Sequence, residues 1–251
     1  MSGRGERRHG SHSRRQQIRH AIDQALNFIL PPICVSCRQV GAILCQECQR
    51  KLTWFSDHLC PTCGRPLPED ATLCVSCRLR EPQLPEIRAV CAFAGPARDA
   101  IHALKYDGMF GVAEPLAALM AQRYPVWSDP LDIVVPIPLH PERVRERGYN
   151  QAALLARHLC PQLNLELDEE ALWRTRHTRP QVGLDRVQRR QNVLGAFAAD
   201  PPRVEGRRVL LVDDVCTSGA TLASAAVALR DAGATGVRGF CFARPVASAS
   251  S

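Results

Sequence analysis

A chain of 251 residues has room for one α/β domain of moderate size and a small accessory module. Apolar residues make up 45%, which excludes wholesale disorder, and aromatics only 5%, which argues against a stacking surface for single-stranded nucleic acid. A formal net charge of +7 suits an anionic partner, either a polyphosphate or a nucleic acid.

The positive charge concentrates at the start. Arg4, Arg7, Arg8, Arg14, Arg15 and Arg19 are opposed there by Glu6 alone. Residues 1–13 read as a disordered basic tail. From Arg14, the residues Ile18, Ile22, Leu26 and Ile29 recur at helical spacing and predict an amphipathic helix over 14–32, ended by Pro31 and Pro32. Its apolar stripe fits a docking helix better than a membrane-surface anchor. The N-terminus lacks the apolar core of a signal peptide, and no apolar run reaches the ~18–20 residues of a membrane span. The expectation is a cytoplasmic protein.

Twelve cysteines in such a chain read first as metal ligands rather than disulfides. Eight form four Cys-x-x-Cys pairs: Cys34/Cys37, Cys45/Cys48, Cys60/Cys63 and Cys74/Cys77. Each pair can form a knuckle aiming two thiolates at one ion, and two knuckles close a tetrahedral zinc site. Residues 33–80 therefore predict a double zinc ribbon holding two structural Zn²⁺ ions. Seven residues separate the first two pairs and ten the last two, which favours sequential sites. The eleven-residue link between Cys48 and Cys60 leaves interleaved pairing open. The segment has few large apolar residues, so metal binding has to supply its stability. Cys91, Cys160, Cys216 and Cys241 read as small core residues.

A proline-bearing stretch over 81–85 links the ribbon to a main domain over 86–245. There, strands and helices alternate as in a parallel sheet with crossover helices. Strands are expected at 89–94, 133–136, 171–174, 196–199, 209–212 and 237–242. Helices are expected at 97–106, 112–123, 150–159 and 221–232. Between the 133–136 strand and the next helix lies a basic loop, in which Arg143 and Arg147 could hold a pyrophosphate bidentately. Gly148 would allow backbone approach and Asn150 would cap the helix. The polar stretch 174–192, with Thr178, Arg179, Pro180 and Gln181, has the composition of an arginine-bearing flap or of an ordinary surface loop. Residues 246–251 read as a disordered tail.

One run carries most of the chemistry: VLLVDDVCTSGAT over 209–221. Four apolar residues make a buried strand, two acids follow, and a hydroxyl-rich turn opens an alanine-rich helix. Such a turn wraps backbone N–H groups around a phosphate, with the helix dipole adding attraction. Acids beside it can accept hydrogen bonds from sugar hydroxyls. Local physics thus describes a ribose-5-phosphate site. The run also resembles the fingerprint of type I phosphoribosyltransferases, which bind 5-phosphoribosyl-1-pyrophosphate (PRPP).

Other motifs narrow the resemblance. The paired knuckles, ALKYDG, VVPIPLHPERVRERGYNQA, TRPQVGLDRVQRRQNVLGAF and the fingerprint together resemble the ComF family from about residue 31 to 244. The resemblance implies an α/β fold: a type I phosphoribosyltransferase-like parallel sheet flanked by helices, with a small N-terminal zinc-ribbon module. It implies that Asp213 and Asp214 are catalytic and bind ribose hydroxyls. Thr217, Ser218, Gly219, Ala220 and Thr221 would hold the 5-phosphate. Lys105, Pro136, Arg143, Arg147, Gly148 and Arg179 would face pyrophosphate, with Mg²⁺ accompanying PRPP. The family is linked to DNA uptake in natural competence, so single-stranded DNA or a competence helicase enters as a partner. The alternative is a non-catalytic competence factor that senses PRPP or binds DNA or a helicase. One departure stands out: Thr217 occupies the position where the purine-salvage enzymes keep an acid.

Overall fold

The computed structural model describes residues 31–55, 58–78, 85–175 and 195–246. The basic tail over 1–13, nearly all of the expected 14–32 helix, the arginine-bearing stretch with Arg179 and residues 247–251 lie outside the described residues.

The cysteine-rich segment carries two short helices, α1 (Gln46–Arg50) and α2 (Val75–Arg78). The main domain then begins with β1 (Glu86–Ala92), α3 (Gly95–Tyr106), α4 (Ala113–Gln122) and β2 (Ile133–Pro136). Next come α5 (Pro141–Arg147), α6 (Gln151–Leu163) and β3 (Glu166–Leu167). A hairpin-like pair, β4 (Leu172–Arg174) and β5 (Phe197–Ala199), precedes α7 (Pro201–Val204). The chain closes with β6 (Arg208–Val215), α8 (Ala220–Asp231) and β7 (Gly236–Arg244).

Five strands form one sheet in the order β1-β7-β6-β2-β3, every pair parallel. Strands of a parallel sheet are covered on both faces, so their sequences read as continuous apolar runs, as Ile133, Val134 and Val135 do. Along β6 the side chains alternate between two cores. Leu210 and Val212 join Leu104, Leu116, Met120 and Leu155 of α3, α4 and α6. Val209 and Leu211 join Leu222 and Leu229 of α8, with Leu172 and Phe197 from the antiparallel β4–β5 pair. The chain leaves β2 outward toward β3 and leaves β6 in the other direction toward β7. The crevice between the carboxyl ends of β2 and β6 is therefore the switch point, where open α/β sheets bind ligands.

Three expectations change. β6 does not stop before the acids but runs through Asp213 and Asp214 to Val215, because β7 pairs with it as far as Val215 opposite Ala243. The basic loop contains a helix, α5, started by Pro141 and ended by Gly148 at φ 84°. Helix α6 passes Pro161, which forfeits its own i→i−4 bond, and ends at Leu163 before the left-handed Asn164.

The ribbon docks on the open edge of β1. Trp54 bridges Cys91 antiparallel, Ala92 N donates to Thr53 O (2.8 Å) and Ile87 N donates to Thr62 O (2.8 Å). Covering an edge strand in this way removes a template for aggregation. On the helical side, Cys34, Val35, Leu44, Cys48 and Leu52 join the core of α3 and α4. Gly64 sits at φ +65°, and a Cβ there would stand 2.3 Å from Ile87 O. Gly64→Ala is therefore expected to cost more than about 2 kcal/mol in chemical denaturation, by strain and by pushing the knuckle off β1. A loss below about 0.5 kcal/mol, the scatter of neutral surface changes, would contradict this docking.

Candidate functional site

The strand-to-helix turn after β6 carries the fingerprint run. Gly219 takes φ 80°, the left-handed conformation that lets the chain turn sharply from β6 into α8. Ser218 Oγ accepts from Ala220 N at 3.3 Å, steadying the turn. Asp213, Cys216, Thr217, Gly219, Ala220 and Thr221 line a depression of about 210 Å³ that includes open solvent.

The acids divide between the two faces of the sheet, as consecutive strand residues must. Asp214, 3% exposed, turns toward α3, where Lys105 Nζ meets its Oδ2 at 2.6 Å. Asp213, opposite Cys241, turns toward α8 and the depression. Desolvation and the neighbouring charge of Asp214 push the Asp213 carboxyl well above the usual carboxylate range, although Lys105 pulls the other way. Burial acts to lower the Lys105 ammonium, yet the charges of Asp214 and Asp213 outweigh it and raise it. One lysine thus serves two carboxylates, and Asp213 is the one left short of positive charge.

The loop after β2 comes to the same end of the sheet. Pro136 pairs with Val212, and Ile137 N donates to Val212 O at 2.9 Å. Asn150 caps α6 as expected, accepting from Ala152 N at 3.0 Å. Arg147 donates to Gln151 Oε1 at 2.6 Å and lies 5.4 Å from the Tyr106 ring centre. Tyr149 donates its hydroxyl hydrogen to Leu104 O, tying the loop to the end of α3. Arg143 instead pairs with Glu146 at 3.0 Å on an exposed helix that buries none of its residues. Lys105, near the end of α3 and expected to face pyrophosphate, pairs with Asp214. Arg179 lies outside the described residues.

Two arginines reach the fingerprint that its own sequence does not announce. Arg244, at the end of β7, is 1% exposed and the largest fully buried side chain. It donates to Cys63 O in the ribbon and, at 3.2 Å, to Cys216 Sγ in the loop. Arg65 extends from the knuckle to 3.5 Å from Thr217 O. A hydrogen bond from Cys241 brings the Cys216 thiol down to about 7 against its burial, and Arg244 and Arg65 contribute in the same direction. Arg244 lies beyond the strand expected at 237–242, and Arg65 was hidden between two metal-ligating cysteines.

Both cysteine tetrads assemble sequentially: Cys34, Cys37, Cys45 and Cys48 in one, Cys60, Cys63, Cys74 and Cys77 in the other, all sulfurs of a set within 4.8 Å. The Cys34–Cys48, Cys37–Cys45 and Cys63–Cys74 sulfurs stand 3.7, 3.5 and 3.6 Å apart. A tetrahedron with Zn–S bonds of about 2.3 Å has edges of about 3.8 Å, so the donor set and spacing fit structural zinc. Burial opposes ionisation of Cys34, but the amides of Cys45, Cys37 and Ser36 bring its thiol down to about 6. The remaining cysteines, Cys91, Cys160, Cys216 and Cys241, are all buried. No helix among the described residues is long and apolar enough to cross a membrane.

Comparison with known proteins follows the same division. The double zinc ribbon domain family matches residues 25–78, and the phosphoribosyl transferase domain family matches residues 146–249. DNA utilization protein YhgH of Escherichia coli K12 is 34% identical over 86% of this chain and 98% of its own length. Competence protein F of Haemophilus influenzae is 32% identical over 84% of this chain and 96% of its own. Competence protein ComFC of Bacillus subtilis is 30% identical over 76% and 79% respectively. Among solved structures, glutamine PRPP amidotransferase from B. subtilis is 24% identical over 51% of this chain and 25% of that one, with a TM-score of 0.36. The chain carries a double zinc ribbon and a phosphoribosyltransferase-like α/β domain, and the matches that run through both place it in the ComF family of competence proteins.

Proposed function

We propose that the chain binds PRPP at the crevice between β2 and β6 and serves nucleic-acid handling during DNA uptake, as a phosphoribosyltransferase with an acceptor of its own. The observation that carries this reading is the turn at Gly219, whose left-handed conformation opens the N-terminus of α8 beside Asp213. In this reading Thr217, Ser218, Gly219, Ala220 and Thr221 hold the 5-phosphate. Asp213 accepts from the ribose hydroxyls, and the Lys105–Asp214 pair beneath it fixes the end of the strand. The loop from Pro136 to Gly148, with Arg147 nearer than Arg143, faces the pyrophosphate. Residues 33–80 serve as the zinc module and 86–245 as the ligand-binding domain.

The chemistry follows from charge. Departure of pyrophosphate from the anomeric carbon leaves oxocarbenium character on the ribose, which a nearby carboxylate stabilises. Asp213, an oxygen donor short of counter-charge, suits a hard cation, and Mg²⁺ there would neutralise charge on the leaving group. Thr217 offers no carboxylate to assist a purine, so the acceptor brings its own nucleophile. Relatives named for competence and DNA utilization support an acceptor or partner in nucleic-acid handling, with single-stranded DNA or a helicase as the candidates.

Calorimetry with PRPP and Mg²⁺ tests the reading. The unaltered chain is expected to bind, and Asp213→Asn to bind about ten- to a hundredfold more weakly, the worth of lost charge-assisted hydrogen bonds. A carboxyl held above its unfolded value opposes folding once pH exceeds that value, so the same variant is expected to melt higher at neutral pH. Undiminished affinity in Asp213→Asn would remove the ribose assignment. Pyrophosphate release with candidate acceptors then separates a transferase from a sensor that only binds.

A further inference from the structure

The fingerprint turn has a shortage of positive charge. From Cys216 to Leu222 it offers amides, hydroxyls and a helix dipole but no cationic side chain. Lys105, on the opposite face of β6, is spent on Asp214. A phosphate monoester near neutral pH carries close to two negative charges. Of the two arginines that reach the turn, Arg244 is fully buried and donates to Cys63 O and Cys216 Sγ, whereas Arg65, from the ribbon, is half-buried at the rim.

We infer that the second ribbon completes the site: Arg65 is a direct ligand for the 5-phosphate of a bound pentose phosphate, held in place by the tetrad of Cys60, Cys63, Cys74 and Cys77. The inference rests on the PRPP reading of the turn and adds to it a residue from the other module. The side chain is half-buried, with Nη2 3.5 Å from Thr217 O, the long limit of a hydrogen bond. Among the described residues that contact is its sole hydrogen bond, and no described carboxylate pairs with it. A partly desolvated guanidinium without a counter-ion is poised for an anion, and its planar fork matches phosphate oxygens.

Its backbone is fixed with unusual thoroughness for a surface knuckle. Cys60 N donates to Arg65 O at 2.7 Å, Gly64 N to Cys60 O at 2.8 Å and Ile87 N to Thr62 O at 2.8 Å. Arg88 Nη1 adds a bond to Pro61 O at 2.9 Å. Arg244 bridges Cys63 O and Cys216 Sγ from beneath, so knuckle and turn are joined through one buried side chain. Arg244 is thus the positioning residue and Arg65 the ligand. Metal content and ligand affinity are linked by this arrangement without any catalytic duty for the metal.

Titration of the full zinc-loaded chain with ribose 5-phosphate, PRPP and inorganic pyrophosphate tests the assignment. Arg65→Gln is expected to weaken ribose 5-phosphate and PRPP by the same factor, about tenfold or more, and to leave pyrophosphate affinity unchanged. Arg65→Lys is expected to recover part of the loss, with zinc content held at the unaltered value. Unchanged affinity for ribose 5-phosphate in Arg65→Gln, with the unaltered chain binding it, overturns the inference alone. An equal loss for pyrophosphate overturns it too, since the effect would then be general charge. An unaltered chain that binds neither ribose 5-phosphate nor PRPP overturns the PRPP reading and this inference with it. A second measurement needs no variant: saturating ribose 5-phosphate is expected to protect Arg65 from phenylglyoxal, and undiminished modification counts against the contact.

Discussion

Stripping zinc with a chelator is expected to unfold the cysteine-rich segment and expose β1, the largest single loss of stability available to this chain. The four cysteines of each set converge because an ion can bind them, and the residues between contribute little else. Cys34, Val35, Leu44, Cys48 and Leu52 are its share of the main core, and the second knuckle adds Cys60 and Cys63. Structural zinc sites contribute about 10–16 kcal/mol each in apparent binding free energy, more than a whole domain of this size retains as net stability. The consequence is directional. Ala92 N and Ile87 N lose their acceptors at Thr53 and Thr62, and an edge strand opens to solvent. Two zinc ions per chain are expected by elemental analysis. Hydrogen exchange after chelation should speed at Ile87 and Ala92, with light scattering rising as the edge finds other partners. A metal-free chain that keeps both amides protected would refute this account.

The parts legible in the sequence are those governed by local rules. Val209 to Val212 read as a buried strand because four apolar residues in a row fit a sheet covered on both faces, and Gly219 marked the turn because only glycine adopts its φ cheaply. Asn150 announced its own cap. What stayed hidden depended on partners far along the chain. The strand's passage through Asp213 and Asp214 requires β7, whose Cys241 and Ala243 supply the pairing. Helix α5 buries no residue and its Val144 is exposed, so no apolar period betrays it, although Pro141 and Gly148 bracket it with ordinary start and stop chemistry. Spacing favoured the sequential cysteine pairing that the two sets adopt, though the link between Cys48 and Cys60 was long enough to allow the interleaved one. Arg65 and Arg244 became visible only once the ribbon was seated on β1, since neither is near the fingerprint in sequence.

Lys105→Met is expected to destabilise the chain by about 3–5 kcal/mol, the cost of leaving a buried carboxylate without its partner. Lys105 is one of two lysines among 32 basic residues, and it stands where a helix end brings an ammonium to 2.6 Å from Asp214 Oδ2. Asp214 is 3% exposed, so water cannot replace the lost charge. The companion variant decides the cause: Lys105→Met with Asp214→Asn should regain most of the stability, because removing both charges removes the stranded one. The pH dependence has a definite sign. Burial lowers the Lys105 pKa, the two carboxylates raise it by more, and the folded value exceeds 10.5. Its contribution is therefore complete below pH 10.5 and lost as pH climbs through the folded value, whereas the opposing effect of Asp213 grows as pH rises above the usual carboxylate range. The adjacent acids thus have opposite duties. Asp214 is neutralised to hold the strand end, and Asp213 is left costly and unneutralised, which is the condition for a carboxylate to gain from a ligand that brings hydroxyls or a cation. Denaturant midpoints of the unaltered chain and of the single and double variants from about pH 3 to pH 11 read both effects. If Lys105→Met costs less than about 1 kcal/mol, or the double variant recovers nothing, the pair is not what holds the end of β6.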